Sequence, residues 1–320
     1  MQIVRATVIA IATLVAPCAV HSQEKPPLKL LVGFPAGAAL DTLSRLMAEK
    51  MKVSLNRPVV VENKAGAAGM IAAESLKTTA PDGNTVLMSP VANISIAPHT
   101  YSNLRYNALT DFEPVAHIAD FQIAFGINAD AGATTMKDYV ALVKKDPKYG
   151  NFASAAAGSL PHFFGLLVAR TAGIEMTHVP YKGSAPAMQA LAAGEVTVGV
   201  MTLPDISTVV KTGKAKILAV SGGKRSPLYP DVPTLREAGY NIEGNGWYAM
   251  YVPAKTPRSE IDAISKAAID AIKSPELTQR FASMGLEPTA YGPAETARIT
   301  RADYDKWGPV IRASGFKADQ

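Results

Sequence analysis

The sequence predicts an α/β protein of two lobes, each a mostly parallel sheet flanked by helices. Three observations point there. A chain of 320 residues has room for about two domains of roughly 150 residues each. Short apolar runs alternate with amphipathic stretches, the pattern of parallel strands covered by helices. Two extended apolar segments, Phe121–Ile127 and Trp247–Val252, bracket the middle of the chain, so the middle forms one lobe and both ends form the other.

The elements follow in order. After Pro26 and Pro27, Leu28 to Phe34 reads as a buried strand, and Ala39 to Leu55 as a helix whose Leu40, Leu43, Leu46, Met47 and Met51 recur at helical spacing. Val59 to Glu62 is the next strand. Met70 to Thr78 is a helix ended before the turn Pro81-Asp82-Gly83, and Thr85 to Met88 is a third strand. The middle unit then gives helix Tyr139 to Lys145, strand Asn151 to Ser154, helix Phe163 to Ala172, strand His178 to Pro180, helix Ala187 to Ala193, and strands Val196 to Val200 and Ile217 to Ser221. Three closing helices, Pro257 to Ile272, Pro275 to Met284 and Pro293 to Ala313, open with prolines at permitted first-turn positions. The expected lobes are residues 23–124 plus 248–320 and residues 125–247. Their two crossings form a hinge, and a ligand sits in the cleft where open sheets present the carboxyl ends of their strands.

The first 22 residues read as a signal peptide. Arg5 precedes an apolar run, Ala6 to Ala16, too short to span the roughly 30 Å hydrocarbon core. Small residues at Val20 and Ser22 offer a cleavage point before Gln23. Cys18 loosely imitates a lipoprotein cleavage box, but the preceding Pro17 fits it poorly. The chain has one cysteine, so a processed protein has no thiol and no disulfide, and its stability comes from its core. The expected location is the periplasm of a bacterium.

Hydrophobic residues at 48% against charged residues at 18% exclude a disordered chain. The formal charge of +5 is small and its cations are dispersed, which argues against nucleic acid and permits an anionic small ligand.

The segment Gly33-Phe34-Pro35-Ala36-Gly37-Ala38-Ala39-Leu40-Asp41 follows a strand and opens a helix. Small residues there let a ligand approach N–H groups that have no partner in the first helical turn, and the helix dipole attracts carboxylate or phosphate. A plain turn with Asp41 at the positive helix end accounts for it equally well. Ser154 to His162 repeats the design in the second lobe, through Gly158 and Ser159. Ser159 can cap its helix, the commoner role, or donate to a ligand, and His162 reads as a hydrogen-bonded structural histidine. A third glycine turn sets Tyr181, Lys182 and Ser184 beside a helix start. Lys182 is either a solvated charge or a carboxylate partner, and Asn93, after the third strand, either supplies an amide to the cleft or serves its turn.

Enzyme signatures are missing. There is no G-x-S-x-G elbow, no phosphate-binding G-x-x-x-x-G-K-[ST] and no H-E-x-x-H. His99, His117, His162 and His178 lack metal-ligand spacing. Gly66-Ala67-Ala68-Gly69 lacks the third glycine of a dinucleotide fingerprint, and close packing of a helix on its sheet explains it better.

These residues bring a family into view. From about Pro27 to Gly315 the chain resembles the substrate-binding receptors of the tripartite tricarboxylate transporters, often called Bug receptors. The markers are residues 33–41 (GFPAGAALD), Pro58 to Gly69 with Glu62, Asn63 and Lys64, Pro81-Asp82-Gly83, Asp111-Phe112-Glu113-Pro114-Val115, and His178 to Gly183. Pro230 to Thr234, Glu237 to Gly239 and Lys306-Trp307 continue them. The resemblance implies a type II-like periplasmic-binding-protein fold whose lobes close on a small carboxylate, held by the loops at 34–39 and 154–159, partly through ordered waters. It departs at Ala38 and Ala39, where the family usually carries glycine, which narrows the space near the ligand. The run Ala155 to Ala157 leaves few side-chain donors, so backbone amides must dominate there.

The expectation is therefore a non-enzymatic, monomeric receptor without metal or cofactor. It captures an organic acid and presents it to membrane subunits of a tripartite tricarboxylate-type transporter. Phe34, Pro35, Ala36, Gly37, Ala38 and Ala39, with Asp41 and Asn93, and Ser154, Gly158, Ser159 and His162 form the carboxylate end. Tyr181, Lys182, Thr202 and Asp205 sense the far end, where an aspartate suits an ammonium and disfavours a second anion. The alternatives are an extracytoplasmic sensor for a signalling protein and an exported hydrolase using Ser159 with His162.

Overall fold

The computed structural model describes residues 25–318. The signal peptide expected at residues 1–22, with Cys18, lies outside the described residues. Two sheets organise the rest.

The first lobe is built on a six-stranded sheet. Its strands are β1 (Leu28–Val32), β2 (Val59–Asn63), β3 (Thr85–Pro90), β4 (Phe112–Phe121), β10 (Gly246–Pro253) and β11 (Leu286–Tyr291). The second lobe has a five-stranded sheet of β5 (Ile123–Asn128), β6 (Asn151–Ser154), β7 (Thr177–Pro180), β8 (Val198–Thr202) and β9 (Ala215–Val220). The strand orders are β2-β1-β3-β10-β4-β11 and β7-β6-β8-β5-β9. Read without the edge strand β11, the two orders are the same. In each, the strand beside the third member enters from the crossing and runs antiparallel to both neighbours.

The sheets are thus mixed rather than mostly parallel. The parallel pairs β1 with β2 and β3, and β6 with β7 and β8, are those joined by helical crossovers. The crossing strands β5 and β10 are buried at every position, which is why they read as continuous apolar runs. The chain passes from β4 to β5 through Gln122 alone, so the single extended segment expected over 121–127 belongs to two sheets.

Helix α1 (Ala39–Leu55) has the expected bounds and buries Leu40, Leu43, Met47 and Met51 at 4% exposure or less. Each such side chain contributes roughly 1.5–3 kcal/mol of transfer free energy. The helix ends at Asn56, whose left-handed φ of 47° halts it. It is followed by α2 (Met70–Lys77) and α3 (Ala97–Thr100), the latter entered through a wide helical turn at Ala92–Ile96. The second lobe contributes α4 (Met136–Lys145), α5 (Leu160–Ala172), α6 (Ser184–Ala193) and α7 (Leu203–Val210). Helices α8 (Arg258–Ile272), α9 (Pro275–Ser283) and α10 (Pro293–Ser314) complete the first.

Four elements were not anticipated: β4, β11, α3 and α7. The apolar pattern of β4 is interrupted by Glu113, His117 and Asp120, and β11 carries Pro288 and Ala290 at a φ of 52°. Helix α7 is short, yet Thr202 three residues before Asp205 is a cap signature.

Candidate functional site

The carboxyl ends of β1, β3, β6 and β8 open onto one cleft of ≈1180 Å³ between the lobes. The first wall is the loop after β1. Asp41 Oδ2 accepts from the Gly37 N–H at 2.9 Å and from Arg45 Nε at 3.0 Å, while Asn63 Nδ2 donates to Asp41 Oδ1 at 2.8 Å and to the Phe34 carbonyl at 3.0 Å. Burial alone would raise the Asp41 carboxyl. The donors from Arg45, Gly37 and Asn63 outweigh it and hold the group below the usual carboxylate range. Asp41 therefore clamps the loop rather than lining the cleft.

That clamp corrects part of the expected donor set. The Gly37 N–H is spent on Asp41 and the Ala38 N–H on the Pro35 carbonyl at 3.2 Å. The N–H groups of Ala39 and Leu40, at the uncapped start of α1, have no partner among the described residues. Ala36 is exposed and stands outside the lining.

The facing wall is the loop before α5. Ser159 Oγ donates to the Ala156 carbonyl at 2.7 Å and accepts from the His162 N–H at 3.4 Å, so the hydroxyl caps its own helix. Ser154 Oγ donates to the same carbonyl at 3.0 Å and lies 2.7 Å from His178 Nε2. The Gly158 N–H donates to His162 Nδ1 at 3.1 Å. The imidazoles of His162 and His178 stack with centroids 3.9 Å apart. Burial pushes His162 down to about 4, and burial with the neighbouring His162 pushes His178 down to about 3, so the stack is neutral. Ser154 and His162 support the loop from behind and do not line the cleft. The N–H groups of Ala156 and Ala157 keep no partner among the described residues, and both residues line the cleft.

The expected pair of Ser159 and His162 does not form a nucleophile and its base. Ser159 touches the His162 main chain, not its ring, and the ring nitrogen Nδ1 is taken by Gly158.

The far end is assembled from three helix starts. Asp205 Oδ2 accepts from Ser184 Oγ at 2.7 Å and Thr202 Oγ1 at 2.8 Å, and the Asp205 N–H donates back to Thr202 Oγ1 at 3.3 Å. Burial raises the Asp205 carboxyl above its ordinary range despite these two donors. Tyr181, Lys182, Thr202 and Asp205 all line the cleft, as does Asn93, whose Nδ2 donates to the Ala68 carbonyl at 3.2 Å.

The sequence reading missed the apolar part of the lining, including Phe121, Met188, Met201 and Tyr248. It also missed the wall at Ala65–Met70. Gly69 there has a φ of +96°, and a Cβ on it would stand 2.6 Å from Asn93 Nδ2. A Cβ on Gly33 would stand 2.5 Å from Gly69 Cα. The pair of glycines lets two loops touch, a contact between loops rather than the helix-on-sheet packing expected of the Gly66 to Gly69 segment.

Residues 43–316 match the tripartite tricarboxylate transporter family receptor. The chain belongs to that family. Protein BugT of Bordetella pertussis is 29% identical over 311 residues, spanning 97% of this chain and 95% of BugT. A UPF0065 protein of Agrobacterium vitis is 32% identical over 92% of this chain and 86% of its own length. Among solved structures, the R. palustris protein Rpa4515 with adipate superposes at a TM-score of 0.86 with 27% identity, covering 92% of this chain and 99% of that one. The periplasmic binding protein BugD gives 0.82 with 29% identity, over 92% and 99%. MatC from Rhodopseudomonas palustris with bound malate gives 0.81 with 26% identity, over 89% and 99%. Family and fold are those of solute-binding receptors rather than enzymes.

Proposed function

We propose that this receptor captures a small organic acid in the interlobe cleft and delivers it, in the periplasm, to the membrane subunits of a tripartite tricarboxylate-type transporter. It acts as a monomer. The expected lobe bounds at 124/125 and 247/248 shift by two residues, to 122/123 and 245/246, so that β5 falls whole in the second lobe and β10 whole in the first. One observation carries the reading: the starts of α1 and α5, from opposite lobes, bring unpartnered N–H groups at Ala39, Leu40, Ala156 and Ala157 to the same cleft. Main-chain donors at helix starts suit a carboxylate and need no counter-cation. The relatives solved with adipate and malate support the ligand class.

In this reading Phe34, Pro35, Gly37, Ala38 and Ala39 shape one jaw and Gly158 and Ser159 the other. Asp41, Ser154 and His162 keep the jaws rigid from behind. Asn93, Tyr181, Lys182, Thr202 and Asp205 face the rest of the solute. Thermal melting with a panel of dicarboxylates, tricarboxylates, aromatic acids and amino acids tests it. A fitting acid at a hundredfold excess over Kd adds about 2.7 kcal/mol to the folded state and raises Tm. An unmoved Tm with every acid, together with ester turnover that Ser159→Ala abolishes, would overturn it.

A further inference from the structure

The inference rests on the receptor reading above and concerns what the cleft selects. Asp205 is the sole carboxylate among the residues lining it. Its Oδ2 is saturated by Ser184 and Thr202, and its Oδ1 has no protein partner. No ion pair reaches it: among the described residues, none of the salt bridges includes Asp205 or Lys182, and Lys182 is exposed at the rim. The two hydroxyls fix the carboxylate in one orientation and leave one oxygen with open lone pairs.

The walls around it are apolar. Met188 and Met201 stand on the same lobe, and Phe121 and Tyr248 face them from the other, with their rings 4.7 Å apart. A carboxylate in such surroundings keeps its charge at a cost unless a donor reaches it. The same surroundings make a second anion beside it expensive, since among the described residues no cation is paired with Asp205.

We infer that the solute is an amino-carboxylate with an apolar body, its carboxylate on the facing helix starts and its ammonium on Asp205 Oδ1, and that Asp205 sets specificity against dicarboxylates. Asp205 is thus a specificity-determining residue that touches the solute.

Two matched series measured by calorimetry on the whole receptor test the inference: hexanoate, ω-aminohexanoate and adipate, and para-methylbenzoate, para-(aminomethyl)benzoate and terephthalate. In at least one series the amino acid binds tenfold or more tighter than both its partners. Asp205→Asn keeps an acceptor for Ser184 and Thr202 and turns a donor toward the cleft, so it reverses the order and favours the dicarboxylate. Dicarboxylates that bind the wild type as tightly as the amino acids, or an order unchanged in Asp205→Asn, overturn the assignment of Asp205 while leaving the receptor reading standing. Failure of all six acids to bind overturns both.

Discussion

Phe316 meets His162 edge-on, with ring centroids 4.8 Å apart and an interplanar angle of 77°. The contact joins the two lobes. Phe316 follows α10 of the first lobe, and its segment is tied back to that lobe by the Ala318 N–H, which donates to the Thr100 carbonyl at 2.9 Å. His162 sits in the first turn of α5, behind the jaw that offers Ala156 and Ala157. The same phenyl ring lies edge-on to Phe163 at 5.8 Å, and nine residues earlier Trp307 lies 5.6 Å from Phe164. The C-terminal segment therefore straps the second jaw to the first lobe.

Removing the strap should cost binding more than folding. Phe316→Ala deletes a half-buried ring and lowers stability by about 1 kcal/mol, while solute affinity falls by up to about tenfold, equivalent to about 1.4 kcal/mol. Paired melting and calorimetry check this. Equal losses in both would reduce Phe316 to ordinary packing.

Ser159→Ala removes the cap of α5 and leaves the Ala156 carbonyl with the Ser154 hydroxyl as its remaining side-chain donor. A lost cap costs about 1 kcal/mol, so Tm drops by a few degrees. Affinity for the acid falls with it, because the jaw is no longer fixed. Ser159→Thr retains the cap and should recover most of both, as melting curves of the two variants will show.

Gly69→Ala and Gly37→Ala form an informative pair. Both positions have positive φ, +96° and +84°, but a Cβ at Gly37 meets nothing within 4 Å, whereas one at Gly69 strikes Asn93. Gly37→Ala should cost about 1 kcal/mol of backbone strain. Gly69→Ala should cost more and also weaken binding, since Asn93 must move in the cleft wall. Denaturant melts that rank the two the other way would refute the close-approach argument.

The pair His117 and Asp120, near the crossing from β4 to β5, predicts a pH effect. His117 Nδ1 lies 3.2 Å from Thr289 Oγ1, which donates its own proton to the His117 carbonyl; the ring therefore donates from Nδ1 and turns an unprotonated Nε2 to Asp120 Oδ1 at 3.3 Å. Burial, with Glu287 and Asp303 nearby, pushes Asp120 up to about 7, and burial pushes His117 down to about 4. The protonated Asp120 then sits beside a neutral ring, and no ion pair forms. A raised carboxyl gives its full stabilisation below its unfolded value and loses it as pH rises through about 7. Asp120→Asn should therefore gain on the wild type by on the order of 1–2 kcal/mol between pH 5 and pH 8. Melts at the two pH values decide it, and a gain at the acidic end would contradict the pairing.

Much of this was legible because burial on both faces leaves a mark in the chain. The strands β1, β3, β5, β6 and β10 and the amphipathic α1 were placed from apolar runs and periodicity alone. What escaped depended on pairing at a distance. The strand β4 hides behind His117 and Asp120, which look polar in sequence and are partnered in the fold. At the site, loop positions were readable but hydrogen-bond direction was not. Nothing in GFPAGAALD says that Asp41 consumes the Gly37 N–H, leaving Ala39 and Leu40 as the free donors. Arg45 and Asn63, which complete that clamp, lie 4 and 22 residues from Asp41. The apolar walls of the cleft went unread, since nothing in the spacing of Met201 and Tyr248 sets them apart from other strand-flanking residues.

The crossing strand β10 bears on how this clamp can be engineered. A cut at either crossing separates β10 from β1 to β4, so the first lobe's sheet should not form from one fragment, whereas β5 to β9 lie in a single stretch of chain. A fluorescent reporter for the solute would have to be spliced in away from both crossings. The exposed turn at Gly132, where even an added Cβ finds open space, is one such insertion point.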